Sequence, residues 1–304
     1  MIAPEYPGAV APERSFRVDC DGIHLQIYEW GDPNGEPLLL AHGLWDTGRG
    51  FDTLAPLLAD RFRVVAYDAR GHGNSDQVDT YTWPSDLRDQ RLLIDWLAAP
   101  VRLVGHSRGG NTLLDTASLF PDGVVQVVSI DGFGPPKGGF KLPGEEDYEP
   151  GDPAVEMAEY LDARRRLASR PAAWRPRKQF DDLVERRAAQ NPRLPPGWLR
   201  YFAYHCAKQT PEGWIWKVDP RTTHGFGPFR PDWIAPRWRS LKAPMLAITG
   251  DTVDAFGPCD DETLTERLRF IEHSERAVVA NAGHFVHMER PTETARLLLD
   301  FLAS

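Results

Sequence analysis

The sequence is poor in cysteine, in basic tracts and in long apolar runs, and each shortage excludes a class of function. Three cysteines in 304 residues, Cys20, Cys206 and Cys259, are too few and too scattered for a disulfide framework or a zinc cluster. None stands in a reactive-looking motif, so they read as small buried apolar side chains. Acidic residues outnumber basic ones, 44 to 35, and the formal net charge of −9 has no basic tract to offset it, which disfavours a nucleic-acid polymer as partner. The one arginine-rich stretch, Ala163 to Lys178, lies near several acids and reads as a solvated helix face. No apolar run reaches the ~18 residues needed to cross a membrane. The opening "MIAPEYPGAVAPERSF" lacks a basic segment followed by an apolar one, so no signal peptide is expected, and a soluble, cytoplasmic protein follows. There is no internal repeat and no low-complexity tract.

What is present is an alternation. With 41% apolar residues the chain can bury a substantial core, as one large domain or one domain with an insertion. "FRVDC" and "HLQIYEWG" form a predicted hairpin around Asp21-Gly22. "PLLLAHG" and "FRVVAYDARG" read as buried strands, with "GFDTLAPLLAD" between them as a helix. "WPSDLRDQRLLIDWLAA" has helical spacing, with Pro84 suited to a first turn. The strand "VRLVGHS", the helix "GGNTLLDTASLF" and the strand "VVQVVSID" follow. Such alternation implies a mostly parallel, doubly wound α/β sheet of about eight strands, covered on both faces.

The pattern breaks from about Phe133 to Arg239, which holds 15 of the 27 prolines and 6 of the 10 tryptophans. Helices fit near Ala154 to Ala168, Lys178 to Ala189 and Gly197 to Ala207, and no clear buried strand is expected before "APMLAITGD". The helix "DETLTERLRFI", the strand "ERAVVANA" and the helix "TETARLLLDFLA" then restore the alternation. The expected organisation is a core of residues 1–132 and 240–304 with a helical insertion at 133–239.

The stretch "VRLVGHSRGGN" carries the spacing G-x-S-x-G, a sharp strand-to-helix turn that exposes a serine oxygen at the carboxyl edge of a sheet. Ser107 is the candidate nucleophile, Gly105 and Gly109 leaving room for the strained turn. A serine nucleophile needs a base. His284, in "NAGHFVHMERP", directly follows the last strand and is preferred to His287, which is read as beginning the next turn. The remaining histidines receive plainer readings: His72 as a turn residue, His106 as support for the elbow, and His205 and His224 as pocket or surface residues of the insertion. A developing oxyanion needs two donors. The Arg108 N–H, next after the nucleophile, is one. The other comes from the loop "HGLWDTG", where Gly43 and Leu44 lie at the same sheet edge.

Taken together, "AHGLWDTGRGFDTLAPLLADRFRVVAYDARGHGNSD", "LVGHSRGGN" and "GHFVHMERP" resemble the α/β-hydrolase superfamily in its lidded, serine-nucleophile branch. The resemblance implies Ser107 as nucleophile, His284 as base, Leu44 and Arg108 as backbone oxyanion donors, and the insertion as a cap over the site. It makes "DARGHGNSD" a structural turn. A serine rather than an aspartate at the elbow argues against the haloalkane dehalogenase and epoxide hydrolase branches. In this family the third member of the triad usually follows the seventh strand, three residues after its terminal glycine. Here that position is Val253. Asp254 lies one residue further on. The end of the sixth strand offers Asp131, followed by Gly132, and Asp131 is preferred with Asp254 as its rival.

The expected activity is therefore hydrolysis of a carboxylic ester or lactone of a hydrophobic or aromatic small molecule, through a Ser-His-Asp triad and without metal or organic cofactor. Trp45 of the oxyanion loop and Trp214 and Trp216 of the insertion are assigned to substrate binding. C–C bond, thioester and amide hydrolysis on the same scaffold are the alternatives, with a non-enzymatic ligand receptor behind them. The oligomeric state is left open.

Overall fold

Leu39 and Leu103 pack on one face of a central sheet, and Leu40 and Val104, one residue further along the same strands, pack on the other. Successive strand side chains point to opposite faces, so strands buried on both sides must be apolar throughout. In the computed structural model, residues 2–134, 152–169, 174–223, 231–254, 256–257 and 259–303 are described.

The chain opens with the antiparallel hairpin β1 (Arg14–Asp19) and β2 (His24–Trp30), turned through Asp21 and Gly22, both at positive φ. Then come β3 (Pro37–Ala41), β4 (Arg63–Tyr67), α1 (Trp83–Leu97), β5 (Val101–His106), α2 (Arg108–Leu119) and β6 (Val124–Ile130). Between β6 and the next strand of the sheet lie α3 (Pro153–Ala168), α4 (Asp181–Gln190), α5 (Pro196–Cys206), the hairpin β7 (Ala207–Thr210) and β8 (Gly213–Trp216), and the single turn α6 (Pro231–Ile234). The chain ends with β9 (Met245–Gly250), α7 (Asp261–Leu268), β10 (Ser274–Val279), α8 (Val286–Glu289) and α9 (Pro291–Leu302).

The eight-stranded sheet has the order β1-β2-β4-β3-β5-β6-β9-β10, parallel from β4 to β10 and antiparallel at β1 and β2. This is the α/β hydrolase fold. One face packs on α1, α2 and α7; the other packs on Phe51, Leu54 and Leu58 and on Leu298, Phe301 and Leu302 of α9. At about 1.5–3 kcal/mol per fully buried aliphatic side chain, these two layers are the main source of stability.

Two expectations are corrected here. The span 50–60 is not one helix: it forms two short 3₁₀ turns, Gly48–Phe51 and Ala55–Leu57. Pro56 has no N–H to continue a helical ladder, and Phe51, Leu54 and Leu58 are instead buried against the sheet. The hairpin β7–β8 in the insertion was not expected. Its strands are four residues each and partly exposed, so their pattern lacks the apolar run that marks a buried strand.

The strand order reverses between β3 and β5: from β3 the chain passes to β4 on one side and then to β5 on the other. In open α/β sheets the crevice at such a switch point, beyond the carboxyl ends of the strands, is where ligands bind. The registers align these ends: Ala41 pairs with Gly105, His106 with Ile130, and Ile130 with Ile248. The residues that follow them meet along one rim.

Candidate active site

Ser107 links β5 to α2 at φ 52° and ψ −123°. A non-glycine residue in this region stores roughly 1–3 kcal/mol of strain and persists only where its surroundings over-determine it. The surroundings do so here. A Cβ on Gly105 would lie 2.4 Å from the Gly110 nitrogen, and one on Gly109 would lie 2.4 Å from the Ala41 carbonyl oxygen, so the helix packs directly onto the strand ends. The Ser107 N–H donates to the Ile130 carbonyl at 2.9 Å, and its own carbonyl accepts from the Asn111 N–H at 3.0 Å. Its hydroxyl does not cap α2.

Asp131 is the next residue after Ile130, itself at φ 44°. Its N–H donates to the Ile248 carbonyl, and its Oδ1 accepts from the Cys259 N–H at 3.2 Å. Its Oδ2 lies 2.5 Å from His284 Nδ1, both side chains being buried. Asp254 occupies a different place. Its Oδ2 accepts the backbone N–H of His284 at 2.9 Å, and its Oδ1 accepts from the N–H groups of Phe256 and Gly257. The carboxylate at the ring is therefore that of Asp131, while Asp254 holds the backbone. Burial works against a charged His284, but the hydrogen bond and charge of Asp131, with a smaller contribution from Asp254, raise its pKa above the usual 6.5. With Nδ1–H donated to Asp131, Nε2 carries the lone pair.

His287 lies in α8, packed on His106 and Phe51 with ring centroids 4.4 and 5.0 Å apart. Burial pushes it down to about 3, with the charge of His284 adding to the effect. It is a neutral part of the scaffold. His106 does more than support the elbow: its Nε2–H donates to the His284 carbonyl at 3.0 Å, and burial among His287 and His284 keeps it neutral.

The loop after β3 is clamped at successive residues. His42 donates Nδ1–H to the Gly43 carbonyl at 2.7 Å and accepts the Ala69 N–H at Nε2. The Asp46 N–H donates to the same carbonyl at 3.2 Å. Carbonyl and N–H lie on opposite sides of a trans peptide, so fixing the Gly43 oxygen fixes the direction of the Leu44 N–H. Among the described residues none accepts from that N–H. A Cβ on Gly43 would fall 2.9 Å from His106 Nδ1, so the loop lies against the elbow. Trp45 sits at φ 63°, half-buried, its N–H donated to His72 Nε2 at 3.3 Å. His72 thus does more than turn the chain. Arg108 begins α2, and its guanidinium pairs with buried Asp86 of α1. His42 and His72 as clamps were missed in the sequence because their partners are backbone groups; the dipeptides "HG" at 42–43 and 72–73 were the available signal.

The tryptophans of the insertion separate. Trp214 stands against Phe180, 5.0 Å between centroids, and pairs its backbone with Arg177. Trp216 packs toward the cluster of Trp198, Phe202, Phe285 and Met288, which joins α5 to the His284 loop. His205 accepts from Arg49 Nη1 at 3.1 Å, and burial with that cation nearby pushes it down to about 3. His224 lies outside the described residues. The three cysteines are buried, their thiols pushed up to about 12 chiefly by burial. Among the described residues no helix is long and apolar enough to cross a membrane.

Residues 38–297 match the model of the alpha/beta hydrolase family. The chain belongs to that family. It is similar to the 3-hydroxybutyrate-oligomer hydrolase of Cupriavidus necator, with 38% identity over 290 residues, 90% of this chain and 92% of that one. It is also similar to the 2-(acetamidomethylene)succinate hydrolase of Mesorhizobium japonicum, 29% identical over 298 residues and 95% of each chain. A crystal structure of an E-2-(acetamidomethylene)succinate hydrolase superposes with a TM-score of 0.75 at 25% identity, covering 96% of this chain and 99% of that one. A serine hydrolase-like protein of Danio rerio is 36% identical over 123 residues; this match spans only 38% of that relative's length. This member of the family is accordingly a hydrolase.

Proposed function

We propose that the protein is a serine hydrolase of carboxylic esters or lactones, with Ser107, His284 and Asp131 as its triad. The observation that carries the reading is the junction of two neighbouring strand ends. Ser107 is held in a strained turn at the end of β5, and Asp131, at the end of β6 beside it, grips His284 Nδ1 at 2.5 Å. A serine exposed by such a turn, and such a buried imidazole–carboxylate pair, match the needs of nucleophilic catalysis by serine.

In this reading His284 Nε2 takes the Ser107 hydroxyl proton as Oγ attacks the carbonyl carbon. The tetrahedral oxyanion accepts from the Leu44 and Arg108 N–H groups. His284 then gives its proton to the leaving alcohol, and the acyl group stays on Ser107. Water enters, loses a proton to His284 and attacks the acyl carbon; His284 returns that proton to Ser107 Oγ as the acid leaves. Asp131 stabilises the imidazolium at both stages and keeps Nδ1–H directed away from the nucleophile. Residues 133–239 act as a cap that shapes the acyl and alcohol sites, with Trp45, Trp214 and Trp216 contributing to substrate binding. The likeness to a 3-hydroxybutyrate-oligomer hydrolase supports an ester bond, since the units of a hydroxy-acid oligomer are joined by esters.

The test is a panel of aryl and alkyl esters, lactones, hydroxy-acid oligoesters, thioesters and a vinylogous diketone, with Ser107→Ala as the blank. Ester or lactone turnover that disappears in the blank supports the proposal. Inert esters with a cleaved diketone or thioester would replace it, and no turnover with tight ligand binding would make the protein a receptor.

A further inference from the structure

The segment between β6 and β9 is tied to the loop that carries the Leu44 N–H, and the tie is a buried ion pair. Arg187 of α4 donates Nη2–H to Asp46 Oδ1, with side-chain exposures of 8% and 1%. The guanidinium stands over the rings of Phe202 and Phe285, 5.0 and 5.5 Å from their centroids. Asp46 lies two residues past Leu44. Its N–H closes the turn onto the Gly43 carbonyl, and that carbonyl belongs to the peptide that presents the Leu44 N–H. Its Oδ2 lies 3.7 Å from Nδ1 of His106, the residue before Ser107. One carboxylate group thus ties α4 to the oxyanion loop and lies beside the elbow.

We infer that Arg187 is a positioning residue that acts through Asp46 to fix the Gly43–Leu44 peptide, making α4 part of the oxyanion apparatus as well as part of the cover. The inference rests on the serine-hydrolase reading.

An exposed ion pair in this place would have little effect, because water and salt screen it. Here neither partner reaches solvent, so neither can give up the other without leaving a buried charge unpaired. The two rings restrict the guanidinium plane, the guanidinium sets the carboxylate, and the carboxylate's own backbone closes the turn. Neighbouring contacts hold the same loop to α5: Thr47 Oγ1 with Cys206 Sγ at 3.3 Å, and Arg49 Nη2–H to the Tyr201 hydroxyl at 3.0 Å. These lie further along the loop. Arg187 and Asp46 reach the turn whose carbonyl opposes the Leu44 N–H.

The experiment measures the rate at which a fluorophosphonate labels Ser107. Oγ bonds to phosphorus, fluoride leaves, and the hydroxyl proton passes to His284. The phosphoryl oxygen gains charge in the same hole, so the rate reports the hole without a natural substrate. Arg187→Met is expected to slow labelling by about 10- to 100-fold, a part of the ~10²–10³-fold cost of losing a whole oxyanion donor. For an aryl ester kcat should fall by a similar factor while KM stays within about threefold, because the donor acts on the transition state. The pair Asp46→Leu/Arg187→Met removes both charges; it should melt near the wild-type temperature and still label slowly. Labelling of Arg187→Met within about threefold of wild type would overturn the inference. So would an apolar pair that recovers both melting temperature and rate. If Arg187→Met does not fold, the apolar pair decides alone: slow labelling supports the inference and wild-type labelling removes it. A wild-type chain that the probe never labels would instead remove the serine-hydrolase reading, and this inference with it.

Discussion

His106 Nε2 donates to the backbone carbonyl of His284 across 178 positions of sequence, at 3.0 Å. The residue before the candidate nucleophile thereby carries the loop of the candidate base. His106→Ala removes that donor and leaves space beside Phe285 and His287. Stability should fall by about 2–3 kcal/mol, from the lost hydrogen bond and the cavity together. The kcat/KM value should fall about tenfold as His284 loses its fixed position. Thermal melts and steady-state kinetics check both, and a variant with unchanged kinetics would show that Asp131 and Asp254 suffice to hold the base.

Asp131 and Asp254 both touch His284, one at the ring and one at the backbone, and this separates their variants. Asp131→Asn should lower kcat by about 10⁴-fold with folding intact, because the amide favours the wrong imidazole tautomer. Asp254→Asn keeps one oxygen, enough for the His284 N–H but not also for the Phe256 and Gly257 N–H groups, and should cost about tenfold or less because the ring contact is untouched. Kinetics on one ester, with circular dichroism as the folding control, decides; the reverse ranking would move the acid to Asp254.

The pH profile follows from the raised pKa of His284. Only the neutral imidazole accepts the Ser107 proton, so activity is lost as pH falls and the ring charges. Because Asp131 outweighs burial and raises the pKa, the rising limb of kcat/KM should have its midpoint above 6.5. In Asp131→Asn burial acts without that carboxylate, and the limb should move to lower pH. His287, held near 3, should add no limb at neutral pH. A wild-type midpoint below 6.5, measured where chemistry limits the rate, contradicts this assignment.

Ser107→Gly should stabilise the protein while abolishing turnover. The backbone at φ 52°, ψ −123° is strained for serine and open to glycine. Relief of roughly 1–3 kcal/mol, less about 1 kcal/mol for the freer unfolded chain, leaves a net gain of about 1 kcal/mol at mid-range. The melting temperature should rise by about 2–4 °C. A lower melting temperature would mean that the turn is not a strained one.

Much of the fold was legible in the sequence because its central strands are buried on both faces and must be apolar throughout, as in "PLLLA" and "MLAITG". Where burial is partial the signal fades. The β7–β8 hairpin exposes Lys208 and Gln209 and shows no run. The stretch 50–60 has helical spacing of apolar residues, yet Pro56 and the demand to cover one face of the sheet give it two short turns. In the site, local motifs point to Ser107 and His284. The choice between two nearby carboxylates depends on where an imidazole nitrogen points, and only the three-dimensional contact of His284 with Asp131 expresses that. The clamps by His42 and His72 leave only the short "HG" dipeptides as a signal, and the Arg187–Asp46 pair, joining positions 141 apart, leaves no local pattern at all.

Asp131 and His284 stand 153 residues apart, and His284 follows the last strand of the sheet. A chain emerging from the ribosome holds Ser107 and Asp131 long before it holds His284. On the proposed reading, the serine has nothing to receive its proton until β10 has paired with β9. On that reading activity arrives late in synthesis, and a cut or truncation before the final strand removes the proposed base while leaving Ser107 in the chain.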